Sequence, residues 1–240
     1  MKITVFNGSP RGPNSNSHKI VEPLLEGAEE AGSQTEEVFL VEHDIKHCRG
    51  CFSCWGKTPG KCVIKDDMPK LLNLFLASDY AGMATPVYGL LMTAILKNFT
   101  DRFLPLATPH IRKNTDGSFY HEGRVHRLPR QFFIANSGFP GEHNFDLLQA
   151  LMGQQKMVME IYRNCGGILE DQNDSDTELQ KKIGVFREAL KNAGREMVTR
   201  GSVSRETVAQ IHAPLISDEE YMAGANQYWD QQIDQAESEQ

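Results

Sequence analysis

The sequence predicts an α/β protein built on a doubly wound, five-stranded parallel sheet. Two observations predict it. Five short apolar runs alternate with five amphipathic stretches of helical period, and strands joined by helical crossovers give that alternation. A polar, Gly/Pro-rich loop separates the first run from the first helical stretch, where a strand-to-helix turn belongs.

Residues 2–7 (KITVFN) read as a buried strand, followed by the loop 8–16. Residues 17–32 read as a helix with Ile20, Val21, Leu24, Leu25, Ala28 and Ala31 on one face. Pro23 lies inside it and should kink or restart it. Residues 35–40 (TEEVFL) make a second strand, and a cysteine-rich loop spans 45–63. Asp66 or Asp67 then caps a helix that has Pro69 in its first turn and runs to about residue 77. Residues 79–84 (DYAGMA) read as a third strand weakened by Gly82. The loop TPVYG follows, then a helix over 91–103.

Residues 105–129 form a polar insertion, with a hairpin expected in GSFYHEGRVHR. An insertion of this length serves binding or assembly. Residues 131–135 (QFFIA) make a fourth strand, followed by the loop NSGFPGEH. A helix is expected over 144–163 and a short fifth strand over 166–169. Residues 176–200 form a long helix, with Leu179, Ile183, Phe186, Leu190, Ala193 and Met197 in register. The expected organisation is one domain over 1–203 and a helical tail over 204–240. Tyr221, Ala225, Tyr228, Trp229 and Ile233 line one face of that tail. Such a stripe needs burial, against its own domain or a second subunit.

Charge sharpens this division. The 240-residue chain carries a net charge of −7, which argues against nucleic acid as the main partner. The last 35 residues sum to −8, with no Lys or Arg after Arg205, while the body is nearly neutral. No apolar run approaches the roughly 18 residues of a membrane span. The start MKITVFNGSPRG does not read as a signal peptide, so a reducing cytoplasm is expected. Clustered cysteines there more often bind metal or do redox chemistry than form disulfides.

In sheets of this class, ligands bind beyond the carboxyl ends of the strands, where strand order reverses. Loops 8–16, 85–90 and 136–143 all follow strands and should share that rim. The first, GSPRGPNSNS, opens a helix whose free N–H groups favour an anion. Ser9, Ser15 and Ser17, Asn14 and Asn16, and Arg11 add polar side chains to it. It lacks both the Gly-Lys-Ser/Thr of a Walker loop and the G-x-G-x-x-G dinucleotide fingerprint. Hydroxyls with one arginine suit a monophosphate such as that of FMN.

Cys48, Cys51 and Cys54 form C-x2-C-x2-C, and Cys62 follows seven residues later. Compact runs like this hold [4Fe–4S] clusters in bacterial ferredoxins, whereas zinc sites more often pair two separated C-x2-C units. The bland alternative is a loop of free thiols. Cys165 reads as a core residue. His121 and His126 read as solvated loop residues, and no nucleophile elbow is present.

Taken together, GSPRGPNSNS, the CRGCFSCW segment with CVIKDDM, TPVYG followed by LLMTAILKNFTDR, and NSGFPGEHNFD resemble the NADPH-dependent FMN reductases and iron–sulfur flavoproteins. The resemblance spans about residues 1–200. It implies a flavodoxin-like fold with strand order 2-1-3-4-5. It also implies FMN with its phosphate at Ser9, Arg11, Asn16 and Ser17. The ring edge would lie at Thr85, Pro86, Val87, Tyr88 and Gly89, with Ser137 and Gly138 near the ring. Gly89 and Leu90 follow Tyr88 where that family often carries an aromatic. The implied activity is an NAD(P)H-dependent flavin oxidoreductase passing electrons to a small acceptor such as a quinone, flavin or nitro compound. No catalytic side chain is required of the protein. The alternative is an electron carrier with a [4Fe–4S] cluster on Cys48, Cys51, Cys54 and Cys62, exchanging electrons with a ferredoxin. A homo-oligomer, dimer or tetramer, is expected in either case.

Overall fold

The computed structural model describes residues 1–170 and 177–238. β1 (Lys2–Asn7) leads through a 3-10 turn to α1 (Asn16–Glu30), then β2 (Gln34–Phe39), α2 (Met68–Leu76) and β3 (Tyr80–Tyr88). β4 (Leu91–Met92), α3 (Ala94–Asp101), β5 (Ala107–Lys113) and β6 (Phe119–Gly123) follow. Then come β7 (Arg130–Asn136), α4 (Asp146–Met152), β8 (Met157–Arg163), α5 (Glu178–Arg200), α6 (Arg205–His212) and α7 (Asp218–Ser238).

The main sheet runs β2-β1-β3-β7-β8, and every neighbouring pair in that row is parallel. Counting only these five strands, the order is 2-1-3-4-5. Alternation along the strands builds two cores. Ile3, Val5, Phe132 and Ile134 face α1 and α5, while Phe6, Phe133 and Ala135 face the side of α2, α3 and α4.

Two close approaches explain glycines inside regular elements. A Cβ on Gly82 in β3 would stand 2.3 Å from the Phe132 ring, so the residue that weakens the strand on paper is the one that lets β3 and β7 pack. Gly27 and Gly194 bring α1 and α5 together: a Cβ on either would lie 2.0 Å from a backbone carbonyl of the other helix.

The structure corrects several expectations. The segment 144–163 is not one helix: α4 ends at Met152, and β8 occupies Met157–Arg163. Met159, Ile161 and Arg163 are buried in alternation, a period of two that only a strand pairing with β7 satisfies. The expected strand at 166–169 is instead part of a 3-10 turn over Gly166–Glu170, which starts where Cys165 takes a positive φ of 52°. Cys165 is buried as expected, and burial pushes its thiol up to about 11.

Pro23 does not restart α1 as a second element, since the helix runs unbroken through it. β3 extends to Tyr88 because it gains β4 as an antiparallel partner. The helix expected over 91–103 starts later for the same reason, with Thr93 Oγ1 accepting from Leu96 N as its N-cap. The hairpin in the insertion is larger than GSFYHEGRVHR, pairing β5 with β6.

Beyond α5, Ile211 and Leu215 are buried in the first core. The buried Arg163 guanidinium donates to the carbonyls of Ile211 and Ala213, so the end of strand β8 pins the end of α6. α7 then runs 21 residues with none of them buried.

Candidate functional site

Parallel register places three strand ends side by side. Asn7 pairs with Ala84, and Pro86 pairs with Asn136. The loops after β1, β3 and β7 therefore share one rim.

The first loop is held from within. Asn7 Oδ1 accepts from Ser9 N (2.9 Å), and Ser9 Oγ accepts from Arg11 N (3.3 Å). Ser15 is the N-cap of α1, its hydroxyl accepting from His18 N. Asn16 and Ser17 follow as first-turn residues, whose amides have no intrahelical partner and sit at the positive end of the helix. Behind the loop, Asn7 Nδ2 donates to Glu37 Oε1 (2.8 Å) and His18 Nδ1 lies 2.7 Å from Glu37 Oε2. Burial raises the Glu37 carboxyl, against the opposing pull of Asn7 and His18.

Cross-links fix the three loops to one another. Asn136 Nδ2 donates to Ser17 Oγ (2.7 Å), joining the third loop to the first. Thr93 Oγ1 donates to Gly8 O (2.6 Å), and Thr93 N donates to Thr85 Oγ1 (3.1 Å), joining first and second loops through the start of α3. Sequence reasoning passed over Asn136 and Thr93. A polar residue closing an apolar strand, and one opening a helix, were the available signals.

A cavity of about 170 Å³ lies on this rim. Ser9, Arg11, Asn16, Ser17, Pro86, Val87, Tyr88 and Gly138 line it, together with Asn136. Three of the expected residues do not. Thr85 is buried, its hydroxyl spent on Pro86 O and Thr93 N. Ser137 is buried and accepts from Phe139 N. Gly89 sits past the cavity at a positive φ of 55°. The buried Asn16 Oδ1 has no hydrogen-bond partner among the described residues.

The cysteine loop is held at its base by a buried ion pair. Arg102, 1% exposed, meets the fully buried Asp66 carboxylate with both terminal nitrogens (2.6 and 3.1 Å). It also donates to Lys46 O and reaches Cys62 Sγ at 3.4 Å. Asp66 accepts further from the amides of Lys46 and Met68. The N-cap position of α2 is Asp67, whose side chain makes no capping bond, while Asp66, one residue earlier, accepts from the Met68 amide and has Arg102 as its larger partner. Cys48 and Cys51 are exposed, Cys54 is buried and Cys62 is half-buried. The four thiols share a neighbourhood: burial first, then Cys62, Cys48 and Cys51, push the Cys54 thiol up. They do not assemble a cage, for among the described residues no three Cys, His, Asp or Glu side chains gather as metal ligands. A cage of this kind rarely exists until its metal gathers it, and the loop has no helix or strand to hold four thiols inward.

A parallel sheet of this order, with an anion-ready helix start and two further loops on its carboxyl rim, defines a flavodoxin-like α/β protein. A family model for NADPH-dependent FMN reductase matches residues 1–117. An iron–sulfur flavoprotein of Archaeoglobus fulgidus is 30% identical over 215 residues, which cover 82% of this chain and 94% of the relative. The chain belongs to the family of NADPH-dependent FMN reductases and iron–sulfur flavoproteins, a family of NAD(P)H-dependent flavin oxidoreductases. The fold matches an FMN-dependent NADH-azoreductase of Bacillus anthracis, with a TM-score of 0.57, 17% identity, and cover of 82% of this chain and 99% of that one. It also matches an NAD(P)H:quinone oxidoreductase of Methanothermobacter marburgensis, with a TM-score of 0.58, 13% identity, and cover of 82% and 96%. No helix among the described residues is long and apolar enough to cross a membrane.

Proposed function

We propose that the protein is an FMN-dependent oxidoreductase that takes electrons from NAD(P)H and passes them to a small acceptor. The rim cavity carries this reading, because the residues matched to the family's flavin loops converge there from three separate stretches of chain. The residues fit the group. The first-turn amides of α1, the hydroxyls of Ser9 and Ser17, and the Arg11 guanidinium are donors suited to a phosphate. The partnerless Asn16 Oδ1 needs a donor, which a polyhydroxyl chain supplies. Val87 and Tyr88, braced by β4, offer backbone groups and an aromatic face to a flat ring. FMN when bound supplies the hydride and electron chemistry. The chain's own task is to hold it and limit solvent at the rim. No carboxylate or imidazole lines the cavity, so no side chain is assigned a proton.

A second reading rests on the cysteine spacing and on relatives named iron–sulfur flavoproteins. It makes the protein an electron carrier to a ferredoxin, with Cys48, Cys51, Cys54 and Cys62 closing on a cluster. An anaerobic visible spectrum before and after NADPH separates the two. Flavin bands bleached by NADPH are expected. A broad iron–sulfur shoulder with flavin that only dithionite reduces would favour the carrier. Protein that stays colourless after FMN is added would refute both.

We further propose a cytoplasmic homo-oligomer. Light scattering at micromolar concentration is expected to give a dimer or tetramer, and a monodisperse monomer refutes it.

A further inference from the structure

Each loop of the rim has a support outside the cavity. The third is tied to the start of α7, where Tyr221 Oη donates to Gly138 O (2.8 Å) and Asp218 Oδ1 accepts from Gly141 N (3.1 Å). The second is tied to the start of α3 through Thr93. The first is backed by Glu37 of the neighbouring strand. Parallel register sets Glu37 opposite Val5, so Glu37 and Asn7 point to the sheet face that α1 covers. The Glu37 side chain is 9% exposed, and its two oxygens serve two different elements. Oε1 accepts from Nδ2 of Asn7, fully buried at the end of β1 (2.8 Å). Oε2 lies 2.7 Å from Nδ1 of His18 in the first turn of α1. Asn7 and His18 both favour the ionised carboxyl against its burial.

We propose that Glu37 is a positioning residue for the flavin phosphate, joining Asn7 to His18 so that the first loop and the start of α1 hold one fixed arrangement. This rests on the FMN reading above and concerns its phosphate end alone. Glu37 does not line the cavity, so it acts through its partners. The side-chain amide of Asn7 keeps its shape when turned over, exchanging donor for acceptor. An ionised carboxylate only accepts. Glu37 therefore draws Nδ2 to itself and leaves Oδ1 for Ser9 N (2.9 Å). That bond sets the turn in which Ser9 Oγ accepts from Arg11 N, and Ser9 and Arg11 are two of the side chains assigned to the phosphate. With the amide reversed, Nδ2 would face Ser9 N, donor against donor. On charge alone a carboxylate behind an anion site opposes the anion, so positioning and charge predict effects of opposite sign.

Flavin fluorescence titrations of the full chain, at a pH well above the carboxylate range, decide between them. Glu37→Ala is expected to weaken FMN binding by about tenfold or more, because the buried Asn7 amide loses its partner. Glu37→Gln still offers a carbonyl to Asn7 and an amide to His18, and should stay within about threefold of the wild type. Riboflavin lacks the phosphate, so its affinity should be the same in all three proteins, which a general loss of structure would not spare. Asn7→Asp gives a second handle at constant size. It sets two carboxylates face to face and should weaken FMN binding. Adding Glu37→Gln supplies the missing donor and should recover affinity relative to Asn7→Asp alone. Four results overturn the proposal: FMN bound by Glu37→Ala as tightly as by the wild type or tighter, equal losses in Glu37→Gln and Glu37→Ala, an equal loss for riboflavin, or no recovery in the double variant. Wild-type protein that binds riboflavin as tightly as FMN would instead sink the phosphate assignment itself, before any variant is compared.

Discussion

Asp66→Asn is expected to destabilise the protein by about 3–5 kcal/mol, the usual cost of removing one partner from a buried ion pair. The substitution keeps the shape and removes the charge, leaving the Arg102 guanidinium, 1% exposed, without its counter-ion. Urea unfolding at neutral pH should show the full loss as a lower midpoint. Replacing both residues by apolar ones of similar volume, as in Asp66→Leu/Arg102→Met, should cost much less.

The same pair predicts a pH dependence. Burial alone would raise the Asp66 carboxyl, but Arg102 and the amides of Lys46 and Met68 outweigh it and hold it below the usual carboxylate range. A depressed carboxylate contributes stability that is fully present above its unfolded value, about 3.9. That contribution is lost as pH falls through the lower folded value. Wild-type stability should therefore drop below about pH 4, and Asp66→Asn should flatten that part of the curve. An unchanged curve would mean that Asp66 does not hold its charge in the fold.

Arg11→Ala is expected to weaken FMN binding by roughly 10- to 100-fold, since a hydrogen bond to a charged group contributes about 1.5–3 kcal/mol. Arg11 is exposed, so thermal stability without FMN should barely move. Arg11→Lys should recover part of the affinity through charge alone, without the planar fork of the guanidinium. Flavin fluorescence titration reads the two affinities, and a thermal melt without FMN reads the stability. A variant that binds FMN like the wild type would remove Arg11 from the phosphate site.

Much of this was legible in the sequence. The runs 2–7 and 131–135 are apolar because their strands are buried on both faces, and such strands advertise themselves locally. The first loop was equally readable, because hydroxyls, amides and one arginine just before a helix carry their chemistry in residue type alone. β8 was not readable. MVMEIYR follows α4 after only the short turn 153–156, and its alternation is set by the neighbouring β7 rather than by strong local propensity. Gly82 misled for the same reason, since the space it leaves is filled by Phe132 from another strand.

Thr85 and Ser137 belonged to the right loops, yet both hydroxyls turn to neighbouring backbone groups and not into the cavity. Residue type placed them at the rim, and only packing decided which way they faced. Asp66 shows a further limit: a carboxylate at a helix start has a sufficient local explanation, and nothing local reveals an arginine 36 residues away. By itself the sequence determined the sheet class and which loops form the rim, because these rest on periodicity and on residue chemistry a few positions apart. The tertiary structure alone decided the Arg102–Asp66 base of the cysteine loop, the fifth strand, and the tail's place along the rim. Each of those depends on contacts between segments far apart in the chain, whose burial no local pattern encodes.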